Sequence, residues 1–160
     1  MNYVVLDVAR MGYELEQVRQ QAPLFLSLYR GPEDAQQEDM APCLIGYEPN
    51  DAFARWFAQA RRASVGIGVE TTASPEELRK HLRRFLMVEF EGEGRRVYFR
   101  YYDPNILRVF LPTCDANQLT EFFGPIQAFV AYDAEADQLI RFTLGQGQLN
   151  RHPLADVVTP

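Results

Sequence analysis

The chain has 160 residues, the length of one domain, and is 47% hydrophobic with eleven Phe and eight Tyr. Such a chain buries roughly 70% of the surface its unfolded form exposes, and its aromatic content excludes a disordered polymer. A net charge of -6 argues against nucleic acid as a partner, because phosphate contacts need a basic surface, and equally against an anionic membrane face.

The start, from Met1 to Asp7, lacks the basic region and long apolar run of a secretory leader. No apolar run reaches the roughly 18 residues that span a bilayer. A cytoplasmic chain is expected, with Cys43 and Cys114 reduced and serving as small hydrophobes.

Residues 3–8 are β-branched and apolar and read as a first strand. Met11, Leu15 and Val18 recur at helical spacing over 11–21, and Pro23 stops that helix. Residues 24–29 read as a second strand. Gly31-Pro32 breaks it, the polar stretch 33–39 is a short helix or a loop, and 43–47 form a third extended segment. Asn50 is placed to cap the next helix, with Asp51 in its first turn. Phe53, Trp56, Phe57 and Ala60 make one apolar stripe along it. Residues 64–70 alternate apolar and small residues, as in a central strand with close neighbours.

Ser74-Pro75-Glu76-Glu77 combines an N-cap, a proline at the first helical position and a capping-box glutamate. Leu78, Leu82, Phe85 and Leu86 form the buried stripe of that helix. Residues 87–91 and 96–102 alternate around Gly92 and Gly94 and read as a hairpin. Asp103-Pro104 repeats the cap-plus-proline start, and Asp115 with Gln118 marks another helix that Gly124-Pro125 ends. A last hairpin joins 126–132 to 138–144. The expected fold is α/β (α+β mixed), a single domain over residues 1–145. Its sheet is mixed: the early helical crossovers suggest parallel pairs and the late hairpins antiparallel ones. Residues 146–160 read as a loose tail.

Motifs for chemistry are sparse. His81 lies among basic residues with no acidic or cysteine partner at ligand spacing, and His152 lies in the tail, so no zinc site is expected. Gly66-Ile67-Gly68 lacks the third glycine and helix start of a dinucleotide site. Glu76 and Glu77 are explained by capping. No catalytic residues, metal or cofactor are expected. Two features carry binding character. Arg79, Lys80, Arg83, Arg84, Arg95, Arg96 and Arg100 form a basic cluster in an acidic chain, either a solvated face or a surface that steers an acidic protein. Strand alternation puts Tyr98, Arg100 and Tyr102 on one face, either half buried or part of an interface rich in Tyr and Arg. The candidate partner-binding residues are therefore Arg79, Arg83, Arg84, Tyr98, Arg100 and Tyr102.

A family likeness runs through the same residues. His81-Leu82-Arg83-Arg84-Phe85-Leu86 is followed by Phe99 to Leu107, with Tyr101-Tyr102-Asp103-Pro104 inside it, and then by Phe122-Phe123-Gly124-Pro125. Upstream stand Leu6-Asp7, Leu28-Tyr29-Arg30-Gly31 and Ala41-Pro42-Cys43-Leu44. This ordered set resembles the bacterial type VI secretion adaptor and chaperone family (domain of unknown function 4123), over about residues 3–130. The resemblance implies a cytoplasmic, non-enzymatic protein whose partners are a secreted effector and the spike protein onto which the effector is loaded. Arg83, Arg84, Arg100, Tyr102, Asp103 and Pro104 correspond to the family signature. Asp103, Pro104, Gly124 and Pro125 also have structural work, as helix cap, first helical residue and helix stop. Many family members carry a further C-terminal lobe, so binding through one smaller surface, or jointly with the spike, is expected here. The alternative reading is a small-molecule-sensing regulatory α/β domain with a pocket lined by Tyr and Phe.

Overall fold

The computed structural model describes residues 1–29, 41–89, 92 and 94–154; the stretch 33–39 lies outside them. Seven strands form one sheet: β1 (Asn2–Leu6), β2 (Leu24–Ser27), β3 (Cys43–Tyr47), β4 (Gly66–Thr71), β7 (Ile126–Asp133), β8 (Gln138–Gly145) and β9 (Gln148–Leu154). Their spatial order is β2-β3-β1-β4-β7-β8-β9. The remaining pair, β5 (Met87–Glu89) and β6 (Arg96–Tyr98), forms a separate two-stranded ribbon. The helices are α1 (Glu14–Gln21), α2 (Ala52–Ala60), α3 (Pro75–Arg83), α4 (Pro104–Phe110) and α5 (Ala116–Phe123).

Every pairing is antiparallel, so the expectation of parallel pairs is corrected. The reason lies in the crossovers. The α1 connection joins β1 to β2, which run in the same direction, but β3 sits between them. The α2 connection likewise joins β3 to β4 with β1 between. Each crossover skips one strand, so parallel direction arises without parallel hydrogen bonding.

The core lies on both sides of the sheet. Val4, Leu6, Cys43 and Ile45 pack one face against Val18 of α1 and Phe53 of α2. Tyr3, Val5, Ile67, Val69, Phe129 and Phe142 pack the other against Leu78 and Leu82 of α3, Leu107 of α4, and Phe122 and Phe123 of α5. β1, buried from Tyr3 to Leu6, is covered on both faces, which is why it reads as a continuous apolar run. In the α2 stripe Phe53 is fully buried, while Trp56, Phe57 and Ala60 pack partly buried around it.

The start signals act locally and appear as read. Ser74 Oγ accepts the Glu77 amide while the Glu77 carboxylate accepts the Ser74 amide, a complete capping box. Asp103 caps α4 through the Asn105 amide at 2.9 Å with Pro104 in the first turn. Asp115 and Gln118 form a second capping box. At α2 the N-cap is Asp51 rather than Asn50, and its carboxylate accepts the Glu48 amide at 2.7 Å instead of capping. Gly124 ends α5 at φ 48 and ψ -116, a positive φ outside the left-handed helical basin.

Residues 148–154 are not loose. They form β9, paired along its length with β8 from Leu139↔Leu154 to Gly145↔Gln148. Gly147, at φ 74, makes the tight turn that returns the chain. As an edge strand β9 tolerates its exposed Arg151, His152 and Pro153, and that polar composition is what makes it resemble a tail.

Candidate functional site

The second hairpin strand ends earlier than its alternation suggests. β6 stops at Tyr98, because Asp103 and Pro104 must start a helix and the chain turns beforehand, with the Asp103 amide donating to the Arg100 carbonyl at 3.0 Å. Tyr101 and Tyr102 therefore lie in the turn and not in a strand, and both are buried. Tyr101 donates its hydroxyl to the Leu82 carbonyl at 3.0 Å, and complete burial holds its pKa well above the usual tyrosine range.

Beneath this turn lies an ion-pair cluster. Asp7, fully buried just past the end of β1, accepts from the Arg100 guanidinium. Arg10 Nε lies 3.4 Å from the same Asp7 oxygen and its Nη2 2.7 Å from Asp103. The bond to Asp7 raises the Arg100 pKa above its ordinary value. Burial, then the Asp7 charge, raises that of Tyr102. Asp7 Oδ1 has no hydrogen-bond partner in the structure. Asp103 thus caps a helix with one oxygen and holds Arg10 with the other.

Two open clefts adjoin here and share Tyr29 and Tyr98, whose rings stand 5.8 Å apart. The first, about 580 Å³, is lined by Asp7, Ala9, Arg10, Arg100 and Tyr102 with the shared pair. The second, about 430 Å³, brings Arg83, Arg84, Arg96 and Glu121 to an apolar wall containing Phe85 and Met87. Five of the six candidate partner-binding residues, Arg83, Arg84, Tyr98, Arg100 and Tyr102, line this double groove.

Arg79 does not line it. Its Nε donates to the Ser27 carbonyl at 2.8 Å. Arg83, one turn later on α3, donates Nε to the Leu28 carbonyl at 2.9 Å and Nη2 to that of Tyr29. Together they clamp the end of β2 to α3, so Arg83 shapes the groove that it lines. Arg84 points elsewhere, pairing with Glu121 at 3.0 Å with both side chains more than half exposed.

Gly124 and Pro125 are structural. A Cβ at Gly124 would lie 2.3 Å from Cε1 of His81, and the Pro125 carbonyl accepts the Thr71 hydroxyl at 2.7 Å. His81 is buried and donates Nε2–H to the Phe122 carbonyl at 2.8 Å. Burial lowers its pKa, and the Phe122 bond only partly opposes this.

Sequence reading missed Asp7, Arg10 and Tyr29 as site residues. A carboxylate directly after a fully apolar strand was the available signal for Asp7, since a buried charge must find a partner; Arg10 carries no comparable mark. Among the described residues no group of three His, Cys, Asp or Glu side chains could hold a metal ion, and no helix is long and apolar enough to cross a membrane.

Comparison with curated proteins and with solved structures found no match. Residues 2–121 match the family model described as a domain of unknown function, DUF4123. That match covers well over half of the chain and contains Asp7, Arg10, the α3 arginines and the Arg100–Asp103 turn, and the chain belongs to the DUF4123 family.

Proposed function

We propose that this protein is a cytoplasmic, non-catalytic adaptor that binds a type VI secretion effector and helps load it onto the spike protein. The observation that carries this reading is the double groove, where the residues of the signature motif converge. Arg83, Arg84, Arg100 and Tyr102 line it, and Asp103 holds Arg10 in its wall. Its surface is rich in arginine and tyrosine, the residue types that dominate binding hot spots. It is also open, as a surface for a protein segment must be. The chemistry it offers is hydrogen bonding and charge pairing on a rigid frame.

Co-expression with a type VI secretion effector and a spike protein, followed by purification of this chain, tests the proposal. Recovery of both partners is expected; recovery of neither overturns it. Arg84→Glu is the informative variant, because Arg84 is exposed and Arg83 is engaged in holding β2. One observation favours a small-molecule site instead: the tyrosine-lined cleft, at about 580 Å³, falls within the roughly 300–1,000 Å³ typical of ligand pockets. A metabolite that stabilises the protein in a thermal-shift screen, with no partner recovered, would select that reading.

A further inference from the structure

The two halves of the groove differ in charge. In the cleft against α3, among the described residues, the guanidinium groups of Arg84 and Arg96 face one carboxylate, Glu121. Arg83 is hydrogen-bonded to the Leu28 and Tyr29 carbonyl oxygens and forms part of the frame of the cleft. The Arg84–Glu121 pair is exposed on both sides and weak for that reason, so Arg84 can exchange Glu121 for another carboxylate. Arg96 is exposed at the start of β6 and has no described partner. In the neighbouring cleft, Arg10 and Arg100 are matched by Asp7 and Asp103. That half is neutral, and Tyr29, Tyr98 and Tyr102 supply its ring surfaces, with Tyr98 45% exposed.

We infer that the groove takes an extended acidic segment of a partner protein, its carboxylates on Arg84 and Arg96 and an adjacent aromatic side chain on Tyr98. The inference deepens the adaptor reading and rests on it in taking the occupant to be a protein. Charge complementarity fixes the acidic end: in a chain of net charge -6 a positive lobe draws a partner's carboxylates, while the acidic remainder of the surface repels them. The neutral lobe fixes the aromatic end, since a ring stacks on tyrosine without having to displace the Asp7–Arg100 pair. An occupant that crosses the shared Tyr29–Tyr98 wall must be a chain, which a compact anion is not.

The probe is a fluorescein-labelled peptide, Glu-Asp-Gly-Trp, with Gln-Asn-Gly-Trp and Glu-Asp-Gly-Ala as controls, read by anisotropy at fixed ionic strength. Saturable binding of the first peptide is expected. Both controls, and the Arg96→Glu protein, should bind about tenfold more weakly or worse, as for a lost hot-spot contact. Equal binding of the acidic and neutral peptides, indifference to Arg96→Glu, or displacement by inorganic phosphate alone overturns the inference. Co-purification separates it from the parent reading. If Arg84→Glu/Arg96→Glu protein still recovers effector and spike, the inference falls and the adaptor stands. If the peptide binds as expected but wild-type protein recovers neither partner, the adaptor falls and the acidic site stands.

Discussion

Gly124→Ala strikes the point where α5 hands the chain to β7. At φ 48 and ψ -116, a backbone region that residues with a Cβ avoid, alanine would carry strain of about 1–3 kcal/mol. The new methyl would also lie 2.3, 2.8 and 3.0 Å from Cε1, Nδ1 and Nε2 of the His81 ring. The ring cannot retreat cheaply. It is buried, packs edge-on to Phe85 at 5.2 Å and donates to Phe122. Displacing it forfeits that bond, worth about 1 kcal/mol. The total is a loss of about 3 kcal/mol, a fall in Tm of about 6–12 °C for a domain of this size. Urea unfolding of Gly124→Ala, His81→Ala and the double variant measures it. In the His81→Ala background the ring is gone and Gly124→Ala should cost only its backbone share, about 1 kcal/mol less than in the wild type. A loss below about 0.5 kcal/mol, or an equal loss in both backgrounds, would refute the steric account.

Arg83→Ala should destabilise the fold by about 1.5–3 kcal/mol, because two carbonyls lose a charged donor, while Arg84→Ala should cost under about 1 kcal/mol; urea midpoints distinguish them, and the ranking should reverse in partner binding. Ser74→Ala removes one half of a capping box and should lower stability by about 1 kcal/mol, seen as a small Tm shift. His81 sets a pH dependence. Burial, helped by Arg84 and opposed by the Phe122 bond and Glu121, depresses its folded pKa, so the unfolded chain binds its proton first. The stability it contributes is complete above the unfolded histidine pKa of about 6.5 and is lost as pH falls through that value toward the lower folded one. Urea midpoints from pH 8 to 5 should show that decline, and it should flatten in His81→Ala.

What could be read from sequence was whatever a few neighbouring residues decide. Ser74 with Glu77, Asp103 with Pro104, and Asp115 with Gln118 announce their helices because each cap is satisfied within one turn. The β3 boundaries, Cys43 to Tyr47, and the β7–β8 hairpin follow from short apolar runs bounded by polar or proline-containing segments. Strand neighbours did not follow, since inserting β3 between β1 and β2 is a long-range packing decision. The site was half legible. Arg84, Tyr98, Arg100 and Tyr102 stand out by type, but the tie from Arg10 to Asp103 spans the chain. The engagement of Arg79 and Arg83 with the carbonyls of Ser27 and Leu28 is invisible in a list of charges.

The seam between β4 and β7 has a consequence for how the chain is made. β7 carries Phe129 and Val130 beside Val69 and Gly68 of β4, with a register shift between Glu70 and Thr71, and it lies wholly after the DUF4123 match. On a ribosome, everything from β1 to α5 emerges before β4 acquires its second neighbour. Throughout that interval Gly66-Ile67-Gly68-Val69 is an unprotected strand edge with no charge before Glu70, open to pairing with another nascent copy. The last three strands thus serve as a late-arriving lock, and chains released before β7 should be lost to aggregation rather than recovered as a smaller folded domain.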